Sequence, residues 1–379
     1  MKVQTQFYSY GDKIDDQLIL SDGSRFGPIT LAYETYGKLN ESKSNAILLF
    51  HALSGSQHAA GENLAVPDID EKWTDECKKG WWDSFIGPEK ILDTNQYFII
   101  CCNYLGGCYG STGPSSIDPS SNKPYGGSFP EICFSDIVNS QVRLYDHLGI
   151  NKFHAVIGSS LGGMMALNFS TRYPEKTNRV ITIACGLRAP TLTKVHNLEQ
   201  ILAIENDVNF CNGDYYDKKS PSRGLALARM ISHKTFVSLS DMKQRMNDRC
   251  EQNNTNFSWY KIKSPLESYL LYQGRKFEKR FDANTYIYLI AAWSKFDLRV
   301  DTNTSTDGEI FKSCKNQRHL VFSINSDCCF YPEEQKELFN ALKLSDITCD
   351  YEVVKSEKGH DSFLIEPNLY EVKIKEFLK

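Results

Sequence analysis

The sequence predicts an α/β fold: a mostly parallel, doubly wound sheet with a long helical segment inserted late in the strand order. Three observations predict it. Short continuous apolar runs, such as Asn45 to Phe50 and His319 to Ile324, recur along the chain as strands buried on both faces do. Segments of helical spacing alternate with them, the order that builds parallel sheets. From about 187 to 296 that rhythm gives way to consecutive helix-like segments.

In chain order, residues 26–37 alternate well enough for an early strand, and Asn45 to Phe50 forms the next. It runs directly into the loop His51 to His58. Trp81, Trp82 and the Gly87-Pro88 break predict a loop packed onto the core, and Tyr97 to Asn103 predicts another buried strand. The stretch Gly106 to Pro114 is too glycine-rich for regular structure and predicts a wall near a site. A phosphate cradle is the alternative there, but no Gly-Lys-Ser/Thr supports a nucleotide loop. Phe134 to Leu148 has helical spacing, with Ser135 as the expected N-cap and Gly149 as the stop.

A strand at Phe153 to Ile157 then meets Gly158-Ser159-Ser160-Leu161-Gly162, which fits the G-x-S-x-G nucleophile elbow, and a helix from Leu161 to Tyr173 follows. A serine on a sharp strand-to-helix turn needs neighbours without side chains, because the backbone there is strained and crowded. The same turn aims the N–H of Leu161 at an oxyanion forming beside Ser160. Val180 to Ala184 is the next strand. The helical insertion is expected over Leu198 to Glu205, Arg223 to Ile231, Leu239 to Arg245, Leu266 to Phe277 and Asn284 to Trp293. The core is accordingly assigned to 1–186 and 297–379, and an inserted helical lid to 187–296; dimerisation is the other use such an insertion has. The sheet resumes at His319 to Ile324, followed by a helix from Pro332 to Leu342, a strand from Tyr351 to Val354 and a last helix from Leu369 to Leu378.

This arrangement bears on chemistry. A serine hydroxyl is a poor nucleophile at its own pKa and needs a base within hydrogen-bond reach. Asp327 ends one late strand and His360 lies beyond the next, giving the chain order Ser, Asp, His. Ser160 is the expected nucleophile, His360 the base and Asp327 its orienting acid; Asp297 and Asp301 are rival acids that follow no convincing strand. Leu53, in the loop after an early strand, is the expected second oxyanion donor beside Leu161. His51 and His58 precede the nucleophile and are expected to line the pocket rather than act as bases. Such a constellation supports acyl transfer through an acyl-serine but leaves the acceptor open. Water makes it a hydrolase, and another hydroxyl makes it a transferase.

Composition narrows the classes. Of 379 residues 41% are hydrophobic and 24% charged, ordinary for a globular enzyme, and the net charge of −4 argues against a general nucleic-acid or anionic-membrane binder. No apolar run approaches the roughly 20 residues that span a bilayer, and Met1 to Gln6 lacks the apolar core of a signal peptide. The 12 cysteines include the vicinal pairs Cys101-Cys102 and Cys328-Cys329 but no C-x-x-C, which predicts buried thiols in a reducing cytosol. The eight histidines show no zinc-binding spacing, so no metal is expected. The basic cluster Arg275 to Arg280 reads as a solvated helix face.

Long segments carry a resemblance. Leu31 to Gly37, His51 to Gly61, Gly80 to Asp83, Asn103 to Ser116, the elbow, Gly224 to Met230, Arg280 to Asn284, Ser326-Asp327 and Gly359 to Asp361 together resemble the homoserine O-acetyltransferase family of α/β-hydrolases. The likeness implies the α/β-hydrolase fold and transfer of an acetyl group from acetyl-CoA to L-homoserine by a ping-pong route, a step toward methionine. It also implies a cytoplasmic homodimer that needs no further cofactor, with Ser160, Asp327 and His360 as the triad. By the same resemblance Arg229 would bind the acceptor carboxylate and Asp361 the acceptor ammonium. The chain departs from the family where Cys328 and Cys329 follow Asp327; an arginine there would suit a succinyl donor, and Cys329 cannot supply its charge. It departs again at Ile290 to Lys295, which keeps L-serine open as an acceptor. Homoserine O-succinyl transfer, ester or thioester hydrolysis, and a non-catalytic binding protein on the same scaffold are the remaining readings.

Overall fold

Eight strands form one sheet in the computed structural model, which describes residues 1–69, 71–247, 262 and 264–379. They are β1 (Gln6–Tyr10), β2 (Ile29–Tyr36), β3 (Ala46–Phe50), β4 (Phe98–Cys102), β5 (Ala155–Ser159), β6 (Arg179–Ile183), β7 (Arg318–Ile324) and β8 (Thr348–Val354). Their spatial order is β1-β2-β4-β3-β5-β6-β7-β8. The β1–β2 and β2–β4 pairings are antiparallel and the remaining five are parallel.

The continuous apolar runs are explained by two covered faces. In β3, Ala46, Leu48 and Phe50 enter one core while Ile47 and Leu49 enter the other. In β4, Ile100 and Cys102 face the first core, and Ile99 and Cys101 the second. Helices α1 (Phe134–His147) and α2 (Leu161–Arg172) cover the first face. The C-terminal helix Glu371–Leu378 and the Trp82 loop cover the second. Trp82 is fully buried there, donating from Nε1 to the Phe363 carbonyl at 2.8 Å, as the Trp81-Trp82 loop was expected to pack.

Between β6 and β7 the chain is helical among its described residues: α3 (Thr191–Glu205), α4 (Ser222–Phe236), α5 (Leu239–Asn247), α6 (Pro265–Arg280), α7 (Ala283–Lys295) and the short α8 (Leu298–Asp301). Each expected helix of the insertion is present, most of them longer than their apolar spacing indicates. One strand is new and one expectation is corrected. Strand β1 has no counterpart in the sequence reading, because QFYSY is an edge strand with one buried residue and no apolar alternation. Ser135 does not cap α1; the Asp136 carboxylate accepts the Cys133 N–H at 2.8 Å instead, while Ser135 Oγ receives Asn168 Nδ2 at 3.0 Å and Arg172 Nη2 at 2.6 Å.

Candidate active site

The site is assembled at the C-terminal ends of parallel strands, where α/β sheets leave their crevice. Ser160 follows β5 with φ 56° and ψ −130°, a strained conformation for a residue with a side chain. Three glycines make the turn possible. A Cβ at Gly158 would lie 2.0 Å from the Gly162 carbonyl oxygen, and one at Gly163 would lie 2.6 Å from Cys185 Sγ. A Cβ at Gly162 would lie 2.3 Å from the Phe50 carbonyl oxygen and 2.6 Å from that of His51. The first turn of α2 therefore touches the chain that leads from β3 to Leu53.

Asp327 follows β7 and His360 follows β8, and the two loops are tied together. Asn325 Oδ1 accepts the Ser356 N–H at 2.8 Å, and Ser326 Oγ accepts the Gly359 N–H at 3.1 Å. His360 Nδ1 donates to Asp327 Oδ2 at 2.7 Å, so its Nε2 lone pair is free to accept from Ser160 Oγ at 2.8 Å. The other oxygen of Asp327 accepts the N–H groups of Cys329 at 2.8 Å and Phe330 at 3.0 Å, which orients the carboxylate. All three side chains are buried, and the imidazole lies among Phe236, Phe330 and Phe363. The sequence-predicted trio is thus brought together. Neither rival acid belongs to it. Asp297 caps α8 through the Arg299 N–H, and Asp301 accepts from Asn168 Nδ2 at 2.9 Å, with burial raising its pKa.

Leu53 and Leu161 are both buried. Among the described residues, neither of their N–H groups has a backbone acceptor. A buried N–H left without a partner is costly and uncommon in a folded protein. Both lie on segments that the Gly162 contact brings together, which leaves them available for the oxyanion role expected of them.

A cavity of about 300 Å³ adjoins this centre. Ala52 and Ser54 on either side of Leu53 line it, as do His58, Tyr109, Arg229, Arg280 and Asp361; Ser160, only 4% exposed, does not. Arg229 sits between the rings of Phe236 and Phe277, with its guanidinium carbon 5.0 and 4.9 Å from their centroids. Its Nη1 is buried without a hydrogen-bond partner. Burial, and then the charge of Arg280, lower the Arg229 pKa, while burial raises that of Asp361 against the pull of Arg229. The pocket therefore holds a cation short of acceptors and a half-buried carboxyl, a pairing complementary to a zwitterion.

Arg280 is a correction to the sequence reading. It is no part of a solvated face: Nη1 donates to the Ser54 carbonyl at 3.0 Å and to Tyr109 Oη at 3.1 Å, and its guanidinium lines the pocket. The glycine-rich Gly106 to Pro114 stretch delivers Tyr109, so it does form a wall of the site. His58 lines the pocket with Nδ1 2.8 Å from Glu34 Oε2 and Nε2 3.0 Å from the Lys78 carbonyl. His51 is buried and stacked on Tyr104, and burial pushes its pKa down to about 4. The Ser160 hydroxyl bonds to His360 and to neither of these histidines. Every described cysteine is a free thiol, and no group of metal-ligating side chains is present among the described residues. No described helix is long and apolar enough to cross a membrane.

A family model described as the alpha/beta hydrolase fold matches residues 45–367. A homoserine O-acetyltransferase of Methanococcus vannielii is 44% identical over 377 residues, covering 99% of this chain and 73% of that protein. Another, from Deferribacter desulfuricans, is 41% identical over 378 residues, covering 99% of this chain and 95% of that protein. Among solved structures, the homoserine O-acetyltransferase from Bacillus anthracis superposes with a TM-score of 0.87 at 26% identity, covering 100% of this chain and 98% of that one. Esterase E22 superposes with a TM-score of 0.86, also at 26% identity, over 100% of both chains.

Proposed function

The chain belongs to the α/β-hydrolase family and, within it, to the homoserine O-acetyltransferases, and from that premise we propose that it moves an acetyl group from acetyl-CoA to the hydroxyl of L-homoserine through an acyl-Ser160 intermediate. The observation that carries the reading is the hydrogen-bonded line Ser160–His360–Asp327 beside a pocket that presents an unpartnered arginine N–H and the Asp361 carboxyl.

In the first half-reaction His360 Nε2 takes the proton of Ser160 Oγ as that oxygen bonds to the thioester carbonyl carbon. The carbonyl oxygen becomes an oxyanion facing the N–H groups of Leu53 and Leu161; losing one such donor typically costs about 2.7–4 kcal/mol. Collapse breaks the C–S bond, and the imidazolium returns its proton to the leaving CoA sulfur. In the second half-reaction the acceptor hydroxyl loses its proton to His360 and attacks the acyl carbon. The Ser160 Oγ–C bond breaks, and the proton returns to Oγ. Asp327 holds the imidazole tautomer and stabilises the cation in both steps.

Arg229 and Asp361 select the acceptor, taking the carboxylate and the ammonium of an α-amino acid. The departure at Ile290 to Lys295 lies away from that pocket: none of these residues lines it, and Trp293 stacks on Phe330 behind His360. Acetyl is favoured over succinyl because Cys329 is a buried thiol whose pKa is raised by burial and by the nearby Asp327, so it offers no cation to a distal carboxylate. The helical insertion 187–296 acts as a lid over the nucleophile. Two copies pair through it, a reading supported by the row Leu192, Val195, Leu198 and Leu202 exposed on α3. The enzyme works in the cytoplasm, in methionine synthesis.

Ester hydrolysis is the second reading, favoured by the likeness to esterase E22. CoA release from acetyl-CoA and from succinyl-CoA, measured with L-homoserine, with L-serine and with no acceptor, separates the two. Release that depends on homoserine and acetyl-CoA supports the transferase; equal release without acceptor overturns it.

A further inference from the structure

Arg229 and Phe236 lie seven residues apart on α4, so two turns of helix place them on one face. The guanidinium carbon of Arg229 is 5.0 Å from the centroid of the Phe236 ring, and the His360 imidazole is stacked against that ring at 6.0 Å and 29°. One aromatic ring therefore contacts both the arginine assigned to the acceptor and the base assigned to the nucleophile. The chain just after it is fastened to the histidine loop. A Cβ at Gly359 would lie 2.5 Å from the Ser238 nitrogen, a clearance that only glycine provides. Ser238 Oγ donates to the Glu357 carbonyl. Lys358 Nζ pairs with Asp241 Oδ1 at 2.6 Å, and the Asp241 side chain is only 2% exposed. Its other oxygen pairs with Arg245 Nε at 2.5 Å, so the Asp241 carboxylate ties α5 to the histidine loop from both sides.

We propose that Phe236 is a positioning residue that fixes Arg229 and His360 with a single ring, so that acceptor recognition and base orientation depend on the same lid segment. The proposal rests on the roles given to Arg229 and His360 above. It goes beyond them in assigning to a non-polar side chain an effect on both half-reactions. A ring that only supported Arg229 would matter for acceptor binding alone. A ring that also holds the imidazole matters for acylation, which proceeds before any acceptor binds.

The test is Phe236→Leu, which keeps an apolar side chain of similar reach and removes the flat face. Stacking and cation–π contacts of this kind are worth enough to change a rate or a binding constant about tenfold. The expected result is a fall of about tenfold in the rate of the CoA burst without acceptor, together with a rise of about tenfold in KM for L-homoserine. Phe236→Tyr, which restores the flat face, should recover both. Arg229→Lys should raise KM for the acceptor. Should the leucine variant fail to fold, Phe236→Met fills the same space with an unbranched chain and puts the same question. A change confined to KM, or to the burst, or to neither, overturns the coupling. If the unsubstituted protein gives no CoA burst at all, the acyl-transfer reading fails first, so the two failures are distinguishable.

Discussion

Ser160 Oγ and His360 Nε2 lie 2.8 Å apart across 200 residues of chain, and the separation is held by two loops that bond to each other. The next link is Asp327, whose Oδ2 accepts from His360 Nδ1 while Oδ1 accepts two N–H groups. Asp327→Asn should keep the fold but present an amide to the imidazole and reverse its tautomer. The expected loss is about 10⁴-fold in the rate of acyl transfer, with little change in thermal stability. An activity within tenfold of the native value would show that another group orients His360.

The elbow tolerates no side chain at its glycines. Gly162→Ala would put a methyl 2.3 Å from the Phe50 carbonyl oxygen and separate α2 from the strand that leads to Leu53. Overpacking of this kind costs about 1–3 kcal/mol, sometimes more. The variant should melt several degrees lower and lose fluorophosphonate labelling at Ser160. Full labelling with an unchanged melting temperature would contradict the geometry.

Asp361→Asn should raise KM for L-homoserine about 10- to 100-fold, the scale of a lost charge-assisted hydrogen bond worth about 1.5–3 kcal/mol, with kcat far less affected. An acceptor lacking the amino group should be insensitive to the substitution. Equal sensitivity of both acceptors would remove Asp361 from the ammonium site.

Glu334 provides a stability test beside the triad acid. Burial pushes its carboxyl up to about 8, and Asp327 and Glu337 add to the rise. The folded-state pKa lies above the free value, so the contribution is whole below about 4.5 and is lost as pH rises through about 8. Glu334→Gln should therefore raise the melting temperature at pH 8.5 by more than it does at pH 5, read by thermal scans at the two pH values. An equal effect at both would mean that the carboxyl ionises freely.

Buried histidines contribute to the acid limb. Burial lowers His51 to about 4, and His233 and His319 to about 3. With folded pKa values below the free value of about 6.5, each contribution is present above that pH and lost as pH falls toward 4 and below. His319 is buried with Nε2 at 3.0 Å from Gln317 Oε1. His319→Gln should flatten the decline of stability below pH 6.5 by up to about 1.4 kcal/mol per pH unit. Parallel acid-denaturation curves would contradict it.

What the sequence disclosed was whatever is specified by neighbouring residues. The elbow is one case, since its glycines, its serine and the strand and helix around it all lie within about twenty residues. The late strands are another, because burial on both faces writes an unbroken apolar run, and Asp327 and His360 follow from their places after those strands. Strand β1 was hidden, as an edge strand with one buried residue carries no such run. Arg280 was misread because its local sequence resembles a solvated helix face. Its partners, Ser54 and Tyr109, are 226 and 171 residues away. The Arg280 to Asn284 segment was nevertheless part of the resemblance, and that was the signal available for it. Phe236 offered none. An aromatic residue near a helix end becomes meaningful only when the fold brings Arg229 and His360 both against its ring.

The most direct measurement is mass spectrometry of the protein quenched during turnover with acetyl-CoA, before acceptor is added. A single acetyl group is expected on the peptide bearing Ser160, discharged on addition of L-homoserine and absent from Ser160→Ala. An acetyl group on another side chain, or turnover with no adduct at any time, would contradict it.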